Sequence, residues 1–176
     1  DTSTASKTIS INVTDVDDNA LSVADSNSAT NTIAENATAG DGVGVKALGT
    51  DADHGTTIAY DFTSNPSNLF AIDASTGVIT LAAGKALDYE SAQSHTVKVR
   101  ATSTDTNGDT STASKIISIA VSDVNDIKPV IDDQIITVKE DFVAGAAFLD
   151  INESSQDDDV DAENNDLSYT IQSGNT

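Results

Sequence analysis

The chain contains 176 residues, and its 29 acidic and 8 basic side chains give a net charge of −21. A surface this acidic repels phosphate backbones and anionic lipids, which argues against nucleic-acid binding and membrane-surface binding. The chain has no cysteine, so disulfide and thiol chemistry are excluded. No apolar run approaches the ~20 residues that span a bilayer, so no membrane insertion is expected in this segment.

Strands are predicted along the chain from alternating apolar residues with turn signals between them. Near the middle, Val97, Val99 and Ala101 alternate with Lys98 and Arg100. The predicted strands lie near 30–36, 43–50, 57–62, 69–73, 78–82, 95–103 and 112–122. A hairpin turn is predicted at 73–77, where glycine supplies a positive φ. Seven short strands in ~100 residues predict an all-β, immunoglobulin-like sandwich.

The beginning of the chain recurs further along it. Residues 1–18 and 109–126 are identical at fourteen of 18 positions, at an offset of 108. The alternating apolar residues are the same in both copies, because Ile9, Ile11 and Val13 recur as Ile117, Ile119 and Val121. A segment that recurs after the length of a whole domain indicates a tandem array of repeats.

This repeat divides the chain into three parts. Residues 1–18 are interpreted as the last strand and exit linker of a preceding repeat, 19–126 as one complete repeat, and 127–176 as the first part of a following repeat. The last part is about half a domain and is too short to bury a full core by itself. The parent chain is therefore expected to be longer than this sequence.

Acidic residues cluster where the predicted strands begin or end. The groups are Glu35, Asp51 with Asp53, Asp88 with Glu90, and Asp123 with Asn125 and Asp126. Hard cations such as Ca²⁺ bind six to eight oxygens from carboxylates and backbone carbonyls. Carboxylates at both ends of a rod-like sandwich would supply that shell where two repeats meet. The alternative interpretation, for any one of these pairs taken by itself, is that its acidic side chains are simply solvated and bind no metal.

Four motifs in chain order resemble those of a cadherin repeat, of the kind found in large bacterial surface adhesins. The cadherin glutamate, DXD, LDRE and DXNDNXP motifs are matched by Ala34-Glu35-Asn36, Asp51-Ala52-Asp53, Leu87-Asp88-Tyr89-Glu90 and Asp123-Val124-Asn125-Asp126-Ile127-Lys128-Pro129. The resemblance covers 19–126 fully, 1–18 as a tail and 127–161 as a head. The chain departs from the family pattern at Tyr89, where cadherins have Arg, and at Lys128, where they usually have a neutral residue.

The resemblance implies that up to about three Ca²⁺ ions bind between the second and third repeats. The implied ligands of the second repeat are Glu35, Asp88, Glu90, Asp123, Asn125 and Asp126, with the carbonyls of Val124 and Ile127. The third repeat would add Asp159 and Asp161. Adjacent bare carboxylates repel by roughly 1 kcal/mol per pair in water, so a straight junction is expected only with the metal.

The resemblance implies a partial ligand set at the first junction as well. There Asp15, Asp17, Asp18 and Asn19 are expected to face Asp51 and Asp53, and to hold one ion at most. Asp105, which follows the predicted strand at 95–103, is a further candidate ligand.

Two functions follow from these patterns. The first is a Ca²⁺-rigidified tandem repeat of an extracellular adhesin or surface filament, which contacts neighbouring repeats and is a candidate for homophilic fibre contacts. The alternative is a sandwich that itself binds carbohydrate or a cell-surface protein, although its few aromatic residues are scattered. The chain has two histidines and no cysteine, and its sequence shows no nucleophile combined with a general base. No enzymatic activity is therefore expected. Asn12, Asn36 and Asn152 match the N-glycosylation pattern.

Overall fold

The computed structural model describes residues 1–13, 16, 18–53 and 55–126, with further short stretches at 130–131, 140–141 and 155–156 and single positions 137, 143 and 170. These residues form strands and turns, with one short 3₁₀ turn at Pro66–Asn68. The predicted all-β class is confirmed. Within these ranges, no helix is long and apolar enough to cross a membrane.

Eight strands between residues 22 and 122 form two four-stranded sheets. They are β1 Ser22–Asp25, β2 Thr32–Ala34, β3 Gly42–Thr50, β4 Thr57–Ser64, β5 Phe70–Ile72, β6 Val78–Leu81, β7 Ser94–Thr104 and β8 Thr110–Ser122. One sheet has the order β1-β3-β6-β5 and the other β2-β8-β7-β4. All pairs are antiparallel except β2 with β8, which is parallel. Two further short strands, β9 Val130–Ile131 and β10 Ser155–Gln156, pair with each other.

The core lies between the two sheets and is built from the inward residues of each strand. Side chains with at most 2% exposure come from both sheets: Val43, Val45, Ala47, Ile79 and Leu81 from one, and Val97, Val99, Ala101 and Ile119 from the other. Because successive side chains point to opposite faces of a strand, period-2 alternation puts these residues inside and their polar neighbours outside. The alternation seen in the sequence is therefore the origin of the sandwich.

The turn between β5 and β6 shows how local chemistry fixes a strand pair. Asp73 Oδ1 accepts hydrogen bonds from the N–H groups of Ser75 and Thr76, at 3.0 and 2.7 Å. Gly77 then adopts a φ of +72°, and a Cβ there would lie 2.3 Å from the carbonyl oxygen of Ala47. The predicted hairpin turn is confirmed, and no residue other than glycine fits its last position without strain.

One strand of the complete repeat was not predicted. Each of the seven predicted strands overlaps an observed one, but β1 has no counterpart among them. Its sequence Ser22-Val23-Ala24-Asp25 contains no fully buried side chain and only one β-branched apolar residue. A four-residue edge strand with half-buried positions carries too little alternation to be recognised from sequence.

Residues 1–13 do not form the strand that the sequence comparison predicted. The structure assigns them no strand, and Ile9, Ile11 and Val13 are 75, 84 and 91% exposed. A strand needs a neighbour for its backbone hydrogen bonds, and this segment pairs with none of the described strands. Its assignment to a preceding repeat, and that of 127–176 to a following one, remain predictions.

Candidate metal centre

Three chain segments converge at one end of the sandwich. The parallel pairing of β2 with β8 sets Ala34 beside Ser122, so both strands end at the same level. The N–H of Glu35 donates to the carbonyl of Ser122 at 3.1 Å, which holds the residue after β2 against the linker after β8. The segment between β6 and β7 brings the Leu87–Glu90 motif to the same end.

The carboxylate of Glu35 links these segments. It is buried, with 5% of the residue exposed. Its Oε2 accepts a hydrogen bond from the N–H of Tyr89, and its Oε1 accepts one from the N–H of Val124, both at 2.7 Å. Short N–H bonds to a carboxylate are stronger than neutral ones and offset the cost of burying its charge. Glu35 therefore fixes the β6–β7 segment and the exit linker relative to each other.

Carboxylates line an open pocket at this end, which we call the Glu35 pocket. Oxygens of Glu35, Asp88 and Glu90 lie within 4.8 Å of one another. Together with Leu87 and Asp126, these residues surround a volume of about 380 Å³. Among the described residues, the charged side chains that line the pocket are all acidic, so the pocket concentrates negative charge.

The pKa values of two lining residues reflect this environment. The hydroxyl and N–H of Ser91 donate to Asp88, at 2.7 and 3.0 Å, and hold the pKa of Asp88 below its usual value. The pKa of Glu90 is raised. A hydrogen bond to its own backbone lowers it, but desolvation and the negative charges of Glu35, Asp123 and Asp126 together outweigh that bond. A cation in the pocket would remove this repulsion.

Asp123 adds a buried oxygen with no hydrogen-bond partner among the described residues. Its Oδ1 is shielded from solvent, and no donor lies within reach. A buried anionic oxygen left without a partner destabilises a fold by about 1–3 kcal/mol or more. The side-chain atoms that could bind a metal at the Glu35 pocket are thus all carboxylate oxygens, and one of them has no hydrogen-bond partner among the described residues. Such a set of atoms fits a hard divalent cation.

The remaining predicted ligands of this junction fall into two groups. Asn125 and Asp126 are exposed, and Asp126 lines the Glu35 pocket. Val124 donates its N–H to Glu35, and a ligand role for its carbonyl remains a prediction. Ile127, Asp159 and Asp161 lie outside the described residues.

A second acidic group lies at the opposite end of the sandwich, around Asp53. This residue is 8% exposed, and the backbone N–H of Asn19 donates to its Oδ2 at 3.2 Å. The Asn19 carboxamide also donates to Asp53, and to Asp18 at 3.0 Å. The structure thus brings three predicted ligands of the first junction together, while Asp15 and Asp17 lie outside the described residues.

Asp51 stands next to this group and is held by its surroundings. Its Oδ1 accepts the N–H of Asp53 at 3.1 Å, and its Oδ2 accepts the hydroxyl of Ser111 at 3.3 Å. The N–H of Asp53 is the main reason that the pKa of Asp51 lies below its usual value. The carboxylate is therefore charged at neutral pH and available to a cation.

The structure gives Asp105 a local role. Its Oδ1 accepts the N–H groups of Asn107 and Asp109, each at 2.8 Å, and its own N–H donates to the Asp109 carbonyl at 3.0 Å. Asp105 is 8% exposed and organises the loop between β7 and β8. A ligand role for Asp105 remains a prediction, and these bonds compete with it.

Sequence reasoning missed three features of the Glu35 pocket. Leu87 lines it, Ser91 holds Asp88, and the backbone N–H groups of Tyr89 and Val124 hold Glu35. The spacing of Ser91, three residues after Asp88, is a turn signal that could have been read from the sequence. The two N–H contacts with Glu35 bridge 54 and 89 residues and have no local signal.

The chain is similar in sequence and in fold to known proteins. The family model for the cadherin domain matches residues 29–120. Protocadherin Fat 4 from mouse is 36% identical over 68% of this chain, and its human counterpart is 33% identical over 99%. The crystal structure of mouse cadherin-23 EC22-24 superimposes with a TM-score of 0.55 and 28% identity, covering 66% of this chain and 36% of that one. The chain spans only 2–3% of the length of the two Fat 4 proteins.

Proposed function

Because the chain belongs to the cadherin domain family, we propose that it is a Ca²⁺-stiffened repeat of an extracellular adhesin or surface filament. Membership of this family places the chain outside the cell or at its surface. The observation that carries the Ca²⁺ role is the convergence of Glu35, Asp88 and Glu90 within 4.8 Å.

Five described carboxylates would hold the metal at this end: Glu35, Asp88, Glu90, Asp123 and Asp126. Bound Ca²⁺ would supply the positive charge that these residues lack and would take their carboxylate oxygens as ligands. Glu35 already holds the exit linker against the β6–β7 segment through Val124 and Tyr89. Ions bound to Asp123 and Asp126 would tie the same linker through its side chains. The linker would then leave the sandwich in one direction, and the next repeat would be spaced and oriented by it.

The end around Asp53 would serve the junction with a preceding repeat in the same way. Hydrogen bonds already arrange Asn19, Asp51 and Asp53 at this end. These three residues would supply only part of the six to eight oxygens that Ca²⁺ binds. We expect this end to hold fewer ions than the Glu35 pocket, and one at most. The assignment of individual ligands at both ends is part of the proposal.

The parent protein is proposed to be a large adhesin in which such repeats act as extenders, with homophilic contacts between fibres. The long matched relatives support a multi-repeat parent, since this chain covers a few per cent of each. The motifs resemble those of bacterial surface adhesins, whereas the two Fat 4 relatives are animal proteins. A bacterial source for this chain therefore remains a prediction.

Nothing in the described residues favours the alternative of a sugar-binding sandwich. Sugar sites usually present aromatic faces, whereas Tyr60 and Phe70 are 7 and 4% exposed. The Tyr60 hydroxyl is occupied as well, because it accepts the N–H of Gly49 at 2.9 Å. We also propose no catalytic role, since cadherin domains are adhesion modules and His95 packs edge-on against the Phe70 ring.

Thermal unfolding of the chain with Ca²⁺ and with chelator tests the metal proposal. Ions that bind only the folded state stabilise it by about 2.7 kcal/mol at one hundred times Kd, so the melting temperature should rise by several degrees. A melting temperature that is the same in chelator and in saturating Ca²⁺ would overturn the proposal.

A matched pair of variants separates binding from general charge effects. Asp88→Asn removes a carboxylate from the Glu35 pocket and should diminish the Ca²⁺-dependent shift. Asp61→Asn removes the same charge from the edge strand β4, where Asp61 pairs with Arg100 at 2.6 Å, and should leave the shift intact. Small-angle scattering of the 176-residue chain should show a longer maximum dimension with Ca²⁺ than with chelator.

A further inference from the structure

We propose that Asn36 carries an N-linked glycan. The tripeptide Asn36-Ala37-Thr38 has the acceptor pattern for this modification, which occurs on surface loops of exported proteins. The family is extracellular, and in animal cells, the source of the Fat 4 relatives, exported proteins follow the route in which such acceptors are modified. The inference rests on that location and does not depend on Ca²⁺ binding.

The local structure presents the Asn36 side chain to solvent. The N–H of Ala37 donates to the carbonyl of Ala34 at 3.0 Å, which closes a turn with Glu35 and Asn36 at its centre. The Glu35 side chain is buried, whereas Asn36 is exposed. The turn therefore commits one of its two central residues to the Glu35 pocket and leaves the other accessible.

The rest of the tripeptide lies in a surface loop that can be reached without opening the sandwich. Residues 35–41 connect β2 to β3 and include no member of the core other than the partly buried Ala37. Thr38 is exposed, and its hydroxyl and N–H donate to Asp41 Oδ2 at 3.0 and 2.7 Å. Local opening of this small turn frees the threonine hydroxyl and breaks no strand pairing.

The reaction joins the Asn36 carboxamide to a sugar. Its Nδ2 attacks the anomeric carbon of a saccharide carried on a lipid pyrophosphate, and the bond from that carbon to the pyrophosphate oxygen breaks. The lipid pyrophosphate leaves, and the nitrogen loses one proton, with no change of oxidation state. The glycan then stands one residue from Glu35, about 3.8 Å away along the backbone. It would keep other fibres from packing on this side of the junction.

The other two matches to the pattern carry less structural support. Asn12 is exposed, but Thr14 lies outside the described residues, and so do Asn152 and its serine. The experiment therefore uses the 176-residue chain with Asn12→Gln and Asn152→Gln in every version. The chain is secreted from insect or mammalian cells and treated with peptide-N-glycosidase. We expect one glycan to be released and Asn36 to be recovered as aspartate by peptide mass spectrometry.

Two substitutions at one position provide the matched control. Thr38→Ser keeps the acceptor pattern and should retain the glycan, whereas Thr38→Ala and Asn36→Gln should remove it. Circular dichroism of each secreted chain checks that the sandwich has formed. A folded chain with unmodified Asn36, or a glycan that persists in Thr38→Ala, overturns the proposal. Loss of Ca²⁺ binding would leave these readouts unchanged, so the two proposals fail separately.

Discussion

Residues 1–13 and β8 have nearly the same sequence and opposite structures. In β8, Ile117, Ile119 and Val121 are 4, 0 and 4% exposed, whereas their counterparts Ile9, Ile11 and Val13 are 75, 84 and 91% exposed. β8 pairs with β7 along eleven positions and with β2 at its end. Alternation thus makes a segment able to form a buried strand, but a neighbouring sheet decides whether it does.

The linkers that follow the two copies differ in the same way. Val124 donates its N–H to the buried Glu35, and Asp126 lines the Glu35 pocket. The counterpart of Val124 is Val16, which is 65% exposed, and the counterpart of Asp126 is Asp18, which contacts only its neighbour Asn19 among the hydrogen bonds described. Among the described residues, the acidic linker motif therefore meets a buried glutamate and an LDRE-like segment in one copy only, and the fuller of the two proposed metal sites lies there.

The largest expected contrast is between Ile119→Ala and Ile11→Ala. The first removes a fully buried side chain and should lower the free energy of unfolding by about 2–5 kcal/mol. The second changes an exposed side chain and should stay within about 0.5 kcal/mol. Chemical denaturation of both variants in saturating Ca²⁺ measures the contrast. Equal losses would show that residues 1–13 are buried in solution and that the comparison is wrong.

The next contrast compares equivalent positions of the two linkers, through the variants Asp126→Ala and Asp18→Ala. We propose that Asp126, which lines the Glu35 pocket beside the other linker ligands, bridges two ions, so its removal should release more than one Ca²⁺ from the chain. Asp18→Ala should release one ion at most, because the first junction is expected to hold no more than one. Isothermal titration calorimetry counts the ions in each variant. An unchanged count for Asp126→Ala would mean that the ligands of the Glu35 pocket are assigned wrongly.

Glu90→Gln should stabilise the metal-free protein and destabilise the Ca²⁺-bound protein. In chelator at neutral pH it removes a carboxylate whose pKa is raised by desolvation and by its acidic neighbours, so the melting temperature should rise. A raised pKa means that the folded state binds more protons than the unfolded one, so Glu90 costs stability as pH rises through that pKa. The advantage of the variant should therefore disappear as pH falls towards 4.5, the ordinary value of Glu90.

The same variant should be less stable than the parent in saturating Ca²⁺, because it has lost a ligand. Melting curves in chelator and in Ca²⁺ at two pH values give all the needed comparisons. A variant that is destabilised in chelator at neutral pH would contradict the electrostatic description of the pocket.

The smallest expected effect concerns an outward position that differs between the copies. Ile116 is 68% exposed on β8, and its counterpart is Thr8. Ile116→Thr should change the free energy of unfolding by no more than about 0.5 kcal/mol, because the side chain contributes little to the core. A loss approaching that of Ile119→Ala, measured by the same denaturation, would reveal a contact that covers this face.

The sequence alone determined the strands whose inward residues alternate and the order of the acidic motifs. Val97, Val99 and Ala101 form the buried row of β7 because side-chain direction alternates with every residue, a property that is local to the backbone. The turn at 73–77 was equally predictable, since Asp73 and Gly77 act within five residues. β1 escaped prediction because its four residues are exposed or half-buried and include only one β-branched apolar side chain.

Only the tertiary structure decided which carboxylates meet and which copy of the repeated strand is folded. Glu35 contacts the N–H groups of Tyr89 and Val124 across 54 and 89 residues, and no local pattern encodes those distances. The Asp123 oxygen that has no hydrogen-bond partner among the described residues and the loop-bound carboxylate of Asp105 are likewise properties of the folded chain. Side-chain direction is set by the backbone nearby, whereas burial and hydrogen bonding depend on neighbours that folding brings from far along the chain.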